Sequence, residues 1–329
     1  MENPSVAVVI PAFNCSKTIA QTLGALRRQT YRGPIEIIVV DDGSTDQTSQ
    51  IVKSFEEVLY VRQDNAGPAT TRNTGFKSST SEIIFFTDSD CIPHEDWIER
   101  SVASFTDKKI AAVSGSYDIA NPQDPLAMSI YREILFRHTK LMPAFPKAFG
   151  SYNVAIRRNI LESLGGFNTG YRYPSGEDND LSYKILLLGS KIFFNKESLV
   201  KHYFPTHIFQ YLREQFRHGF WRVKVYFNYP KMAIGDDYTF WKDIVEPPLV
   251  ILIFLFLCFS LAGWNLGPSL HASCLFGLIF LEVSYGFMIM RQFTKGVFFA
   301  MVMFLRAFAR TTGFLVGFTF FLPSKVFRF

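Results

Sequence analysis

The stretch 81–93, SEIIFFTDSDCIP, sets the first constraint on this chain: the apolar, β-favouring run at 83–86 stops abruptly at two aspartates one residue apart. A buried parallel strand delivers the residues beyond its carboxyl end into the crevice where open α/β sheets bind ligands, so Asp88 and Asp90 belong at a site. Alternate carboxylates at a strand end can hold a hard divalent cation, which keeps its other positions for water and phosphate oxygens. A D-x-D pair alone is better read as a solvated turn, and the surrounding sequence must decide.

The same strand-then-polar-loop pattern recurs upstream. Residues 6–10 form an apolar β-branched run that breaks at PAFN (11–14), and a second run at 35–40 ends in DDGSTD (41–46). Helical spacing comes after each: Ile19, Leu23 and Leu26, then 48–55, then 68–76 after a short third strand at 58–62. Strands alternating with short helices predict an α/β fold with a mostly parallel, Rossmann-like sheet whose loops meet at one rim. Asp41, Ser44 and Asp46 also suit capping of the helix just after them.

Composition divides the chain. Up to about residue 205 it reads as a soluble α/β domain, 206–246 as an amphipathic helix and linker, and 247–329 as an α-helical membrane region, nearly uncharged and rich in Leu, Ile, Val and Phe. The net charge of +5 is modest, and its basic residues cluster just before the apolar tail, which favours a membrane surface over nucleic acid. Cys15, Cys91, Cys258 and Cys274 show no metal-ligand spacing and read as free thiols. MENPSV lacks the basic region and apolar core of a secretory signal, so the head is expected in the cytosol.

Six segments then occur in order: VVIPAFN (8–14), VVDDGSTD (39–46), NAGPATTRNTG (65–75), TDSD (87–90), GGF (165–167) and GEDNDLSYKILLLG (176–189). In order and spacing they resemble the family 2 glycosyltransferases, over residues 5–205. The resemblance implies a GT-A fold, a nucleotide-diphosphate sugar as donor, and Mg²⁺ or Mn²⁺. It implies that Asp42 accepts from the nucleotide base, that Pro11 to Phe13 wall its pocket, and that Gly67 and Arg72 approach the donor. Asp88 is implied at the ribose or the metal, and Asp90 and His202 at the metal. Of the pair Glu177 and Asp178, the second is implied as the general base of a displacement that inverts the anomeric carbon. Arg72 also fits a purely structural ion pair, and two acids at a helix start also fit capping alone.

Between 122 and 146 lies a basic, aromatic segment outside these motifs, which fits either a covering helix or an acceptor-binding insertion. Farther on, Phe209, Leu212, Phe216, Phe220, Val223 and Phe227 keep helical intervals, with Arg213, Arg217, Arg222 and Lys224 between them. This predicts an amphipathic helix in the headgroup plane. Spans are predicted at 249–264, entered through Pro247-Pro248, and at 266–290, with Lys242, Arg291 and Lys295 setting their outer ends in the cytosol. A third span is favoured at 297–322 over a re-entrant or interfacial helix, with Arg306 at the depth of Glu282 and paired to it. Lys325 and Arg328 count against that span.

The expected activity is a membrane-anchored, metal-dependent, inverting transfer of sugar to a hydroxyl of a lipid-linked saccharide at the cytosolic face, in the plasma membrane if the source is prokaryotic. A polyprenyl phosphate acceptor is the alternative; being already anionic it needs no base, and the acidic pair tilts the reading away from it. A processive synthase is disfavoured because no Q-x-x-R-W occurs after the base. A silent, nucleotide-sugar-binding membrane subunit would be expected to have lost an acid, and none is missing.

Overall fold

The computed structural model describes residues 3–173, 175–232, 237 and 239–322; Lys325 and Arg328 lie outside them. The chain packs as two units, residues 1–120 with 142–203, and 121–141 with 204–329.

The first unit is built on one sheet. β1 (Val6–Ala12), β2 (Ile35–Asp41), β3 (Val58–Arg62) and β4 (Ile83–Thr87) pair in parallel in the order β3-β2-β1-β4. The other strands are β5 (Cys91–Pro93), β6 (Ile110–Ile119), β7 (Asn153–Arg157) and β8 (Lys191–His202). They extend the sheet as β4-β7-β6-β8-β5, with β7 antiparallel to both neighbours, β6 and β8 parallel, and β5 antiparallel to β8. Strands β6 and β7 lie between the motifs and are not among the strands expected from sequence.

Both faces of the sheet are covered, which explains why β1 is continuously apolar instead of alternating. Val6, Val8 and Ile10 point to one core with α1 (Ile19–Leu26), α2 (Thr48–Lys53) and α4 (Trp97–Ala103). Ala7 and Val9 point to the other with α3 (Pro68–Lys77), α6 (Arg158–Leu164) and α7 (Glu177–Leu187). All five strand residues are fully buried, and each large side chain contributes roughly 1.5–3 kcal/mol. Because β1, β2 and β4 are parallel, Phe13, Asp42 and Asp88 all lie just past strand ends on one rim.

The second unit is helical. It comprises α5 (Pro125–Lys140), α8 (Ile208–Asn228), α9 (Trp241–Leu261), α10 (Gly267–Met290) and α11 (Phe293–Phe321). The last three are long and apolar enough to cross a membrane. Asp124 caps α5, accepting from the Ala127 amide at 2.8 Å, and Pro125 opens it. Segment 122–146 thus supplies a helix that packs with α10 and α11.

Three expectations need correction here. α9 starts at Trp241, so Pro247 and Pro248 lie inside the helix and not at its entrance, and Lys242 is buried, not a free juxtamembrane cation. On α8 the buried line runs Tyr211, Gln215, Gly219 and Val223, while Phe209 is 84% exposed, so the inward face is displaced from the expected stripe. Glu282 does not pair with Arg306. Lys242 takes Glu282 at 2.8 Å, and Arg306 goes to Glu133 of α5. The earlier start of α9 brings Lys242 and Glu246 to face the other helices, and Glu133 comes from a segment 173 residues away.

These residues belong to a charge-balanced cluster that is buried except at Asp243 and Arg310, which are half-buried. Glu133, Asp243, Glu246 and Glu282 face Arg137, Lys242, Arg306 and Arg310; Arg137 meets Glu133 at 2.7 Å and Asp243 at 2.6 Å, and Lys242 also pairs with Glu246. Removing one member of a buried pair strands the other charge. Glu133→Gln should therefore destabilise the chain by about 3–5 kcal/mol, read as a large drop in the melting temperature of the detergent-extracted protein. Glu133→Met combined with Arg306→Met should recover most of it; a double variant as unstable as the single would show that the ion pair is not the cause.

Candidate active site

The second parallel strand fixes the first group of acids. Asp41 is fully buried and accepts from the Ser44 amide at 2.7 Å and the Tyr60 hydroxyl at 2.6 Å. Asp46 accepts from the Thr48 amide and hydroxyl at the start of α2 and from the Ser16 amide. These two acids shape the loop. Asp42 sits between them and the next loop, accepting from Gln63 at 2.7 Å and from the Ala66 and Gly67 amides at 2.9 Å each. It keeps one lone pair, on Oδ2, for a further donor while it orders the 63–67 turn.

Gly67 opens α3 with φ +88°, and a Cβ there would collide with the Arg172 carbonyl oxygen. Both demands exclude a side chain. Pro11 lies in β1 opposite Val40, and Phe13, 52% exposed, stands at the rim beside them.

Arg72 projects from α3 and is buried. Its guanidinium donates to Asp88 at 2.9 Å and to Glu177 at 3.0 Å, so one cation joins the end of β4 to the start of α7. The structural ion pair and the site role therefore coincide in one residue. Glu177 is buried as well and accepts from the Ser175 amide at 2.8 Å. Burial, then the neighbouring Asp178 charge, outweigh Arg72 and push Glu177 up to about 7. Asp180 is buried against Lys184 at 2.8 Å. Asp178, the partly exposed member of the three first-turn acids, is the one a substrate can reach.

Strand pairing brings the other two residues together. β5 runs antiparallel to β8 with Cys91 opposite His202, and the Tyr203 amide donates to the Asp90 carbonyl at 3.1 Å. Asp90 Oδ2 consequently lies 3.4 Å from His202 Nε2. Burial pushes the Asp90 carboxyl upward, but the facing imidazole overcomes it and holds the group below its usual value. Asp90, Cys91 and His202 offer ligand atoms within 4.8 Å of one another. Asp88 does not join that group and is held by Arg72, so two of the three expected metal ligands are brought together and one is not.

A carboxylate and an imidazole facing one another suit a divalent ion such as Mn²⁺. The Cys91 thiol does not suit it, because complete burial raises its pKa well above the ordinary value and keeps it protonated. Tyr117 was not signalled by the sequence, being outside every motif; its ring lies 5.3 Å from His202 and stacks on Tyr152 at 3.6 Å.

The raised Glu177 makes a pH prediction. The folded state holds its proton where an unfolded glutamate, near 4.5, has released it, so this group's contribution is complete below about pH 4.5 and is lost as pH rises toward 7. Glu177→Gln should flatten the decline of melting temperature between pH 5 and 7; an unchanged slope would assign the decline to other groups.

Residues 7–165 match the family described as Glycosyl transferase family 2. Glycosyltransferase AglE of Haloferax volcanii is 28% identical over 230 residues, 68% of this chain and 74% of that protein. Glycosyltransferase GlyA of Streptococcus pneumoniae is 30% identical over 217 residues, 59% of this chain but 30% of its own length. The pre-mycofactocin glycosyltransferase of Mycobacterium tuberculosis is 26% identical over 65% of this chain and 46% of its own, so this chain spans less than half of the last two. Among solved structures, the mannosyltransferase PcManGT of Pyrobaculum calidifontis, in complex with GDP-Man and Mn²⁺, superposes with a TM-score of 0.61 at 21% identity, over 95% of this chain and 88% of its own. Residues 7–165 thus resemble the family 2 glycosyltransferases, and the chain has the GT-A fold, with its mixed sheet and its acids on one rim, followed by apolar C-terminal helices.

Proposed function

We propose that this chain is a membrane-anchored, metal-dependent, inverting glycosyltransferase that moves a sugar from a nucleotide-diphosphate donor to a hydroxyl of a lipid-linked saccharide at the cytosolic face. The observation that carries the reading is the arrangement around Arg72: Asp88 and Glu177 are bound to it, and Asp178 is left partly exposed beside them. The GDP-Man and Mn²⁺ held by the Pyrobaculum structure support the donor class and the ion.

In this reading Asp42 and the wall from Pro11 to Phe13 receive the base, with the Gly67 turn held beside them by Asp42. Arg72 aligns Asp88 toward the ribose. Asp90 and His202 would hold the ion, which offsets the negative charge that develops on the diphosphate as the sugar C1–O bond breaks. Asp178 takes the proton of the acceptor hydroxyl, whose oxygen attacks C1 opposite the leaving group and inverts it. Helices α9 and α10 anchor the chain as a multi-pass membrane protein, in the plasma membrane if the source is prokaryotic.

The reading is tested by incubating membranes that contain the chain with labelled nucleotide sugars and lipid-linked acceptors, with and without chelator. Label should enter lipid only without chelator, and no transfer with any donor would refute the activity. Asp90→Ala should abolish turnover at saturating Mn²⁺ while the protein stays folded by circular dichroism; near-normal activity would remove the metal role. Asp178→Asn should leave donor affinity intact and lower kcat by roughly 10²-fold or more. Loss of donor affinity in that variant would make Asp178 a binding residue.

A further inference from the structure

The carboxylate that meets the base in the proposed transfer is already nearly filled by the protein itself. A carboxylate offers roughly four acceptor positions and no donor. On Asp42, Gln63 Nε2 at 2.7 Å and the Ala66 amide at 2.9 Å both occupy Oδ1, and the Gly67 amide at 2.9 Å occupies Oδ2. One position, on Oδ2, is left.

The three donors are themselves held in place. Gln63 must turn its NH₂ to the carboxylate, and its Oε1 accepts from the Thr74 hydroxyl at 2.7 Å, so the amide cannot flip without losing both bonds. Gly67 stands at φ +88° against the Arg172 carbonyl, and its own carbonyl accepts from the Thr71 hydroxyl at 2.8 Å. Asp42 is buried, so water does little to compensate a mismatch at the open position.

Resting on the nucleotide-sugar reading above, we infer that this site selects a uridine diphosphate sugar: Asp42 has one acceptor position left, and uracil presents one N–H. The uracil N3–H lies between two carbonyls. Asn65, an exposed residue, gives one amide hydrogen to the Asp42 main-chain carbonyl at 3.1 Å and has the other for either of them. Guanine presents N1–H and its N2 amine side by side, and the second donor would meet Oδ1, where Gln63 and Ala66 already donate. Cytosine and adenine carry a lone pair on the corresponding ring nitrogen, and it would face the carboxylate. Phe13, exposed at the rim, offers a ring on which any base can stack, so the choice among bases falls to Asp42.

The test is calorimetric titration of the full chain in detergent, at saturating Mn²⁺, with nucleoside diphosphates. UDP should bind about tenfold or more tightly than GDP, CDP or ADP, the cost of leaving a buried hydrogen-bonding group unpaired. N3-methyl-UDP, which lacks the one donor, should lose a similar factor. Inosine diphosphate, the counterpart of GDP without the N2 amine, should bind at least as well as GDP. In Asp42→Asn the side-chain oxygen stays with Gln63 and Ala66 and the amide turns to the base, so UDP should weaken and the N3-methyl penalty should vanish. GDP binding as tightly as UDP, GDP exceeding inosine diphosphate several-fold, or a methyl penalty that survives in Asp42→Asn would overturn the inference and leave the nucleotide-sugar reading standing. Binding of none of these diphosphates would refute that reading, and the inference with it.

Discussion

One buried guanidinium holds the two halves of the catalytic rim in register. Arg72 sits on α3 and binds carboxylates from β4 and from α7, elements that are distant in sequence and face the same crevice. An arginine suits this position because its planar fork offers several fixed donors and stays charged when buried. Its burial also explains why three acids can coexist here. Asp88 and Glu177 share its charge, while Asp178, next in sequence and partly exposed, keeps its own solvation. Loss of Arg72 would leave two carboxylates without a counter-ion and release the β4 loop from α7 together.

The second unit solves a similar problem with more groups. Three acids and three bases are buried among apolar helices, with Asp243 and Arg310 half-buried at their edge, and none of the buried ones could be tolerated singly. Their balance ties α5, α9, α10 and α11 in one arrangement, since each ion finds a partner on another helix. A purely apolar interface of the same size would hold the helices together but permit sliding, whereas pairing of Lys242 with Glu282 and of Arg306 with Glu133 fixes the register.

The fold of the head was legible because its strands carry the strongest local signals. Continuous apolar runs at β1, β2 and β4, each closed by polar loops, announced parallel strands whose ends share a rim, and the rim acids came with them. Strands β6 and β7 were not legible. The order in which β7 inserts between β4 and β6 depends on long-range pairing that no local pattern encodes. In the site, Asp90 and His202 could be linked only by resemblance, because their approach depends on the antiparallel pairing of β5 with β8. The partner of Arg306 was illegible for the same reason: depth matching considers helices of one hairpin, and Glu133 arrives from another part of the chain. On α8 the apolar stripe was read from the helical spacing of apolar residues, but the glycine that admits another backbone proved to mark the buried side.

The division of labour between Glu177 and Asp178 comes from environment more than from identity. Both open the same helix, where exposed amides favour negative charge. Burial nonetheless makes the charged form of Glu177 costly, and Arg72 only partly offsets that cost. Asp178 escapes it by facing outward. In the proposed transfer a general base must be reachable when the acceptor arrives, and of the acids on this turn Asp178 is the partly exposed one. Glu177 serves better as the group that holds Arg72, because a carboxylate that fixes a buried cation must itself be enclosed. A rotation of about 100° around the helix axis separates the two adjacent carboxylates, so that one is enclosed and the next is partly exposed.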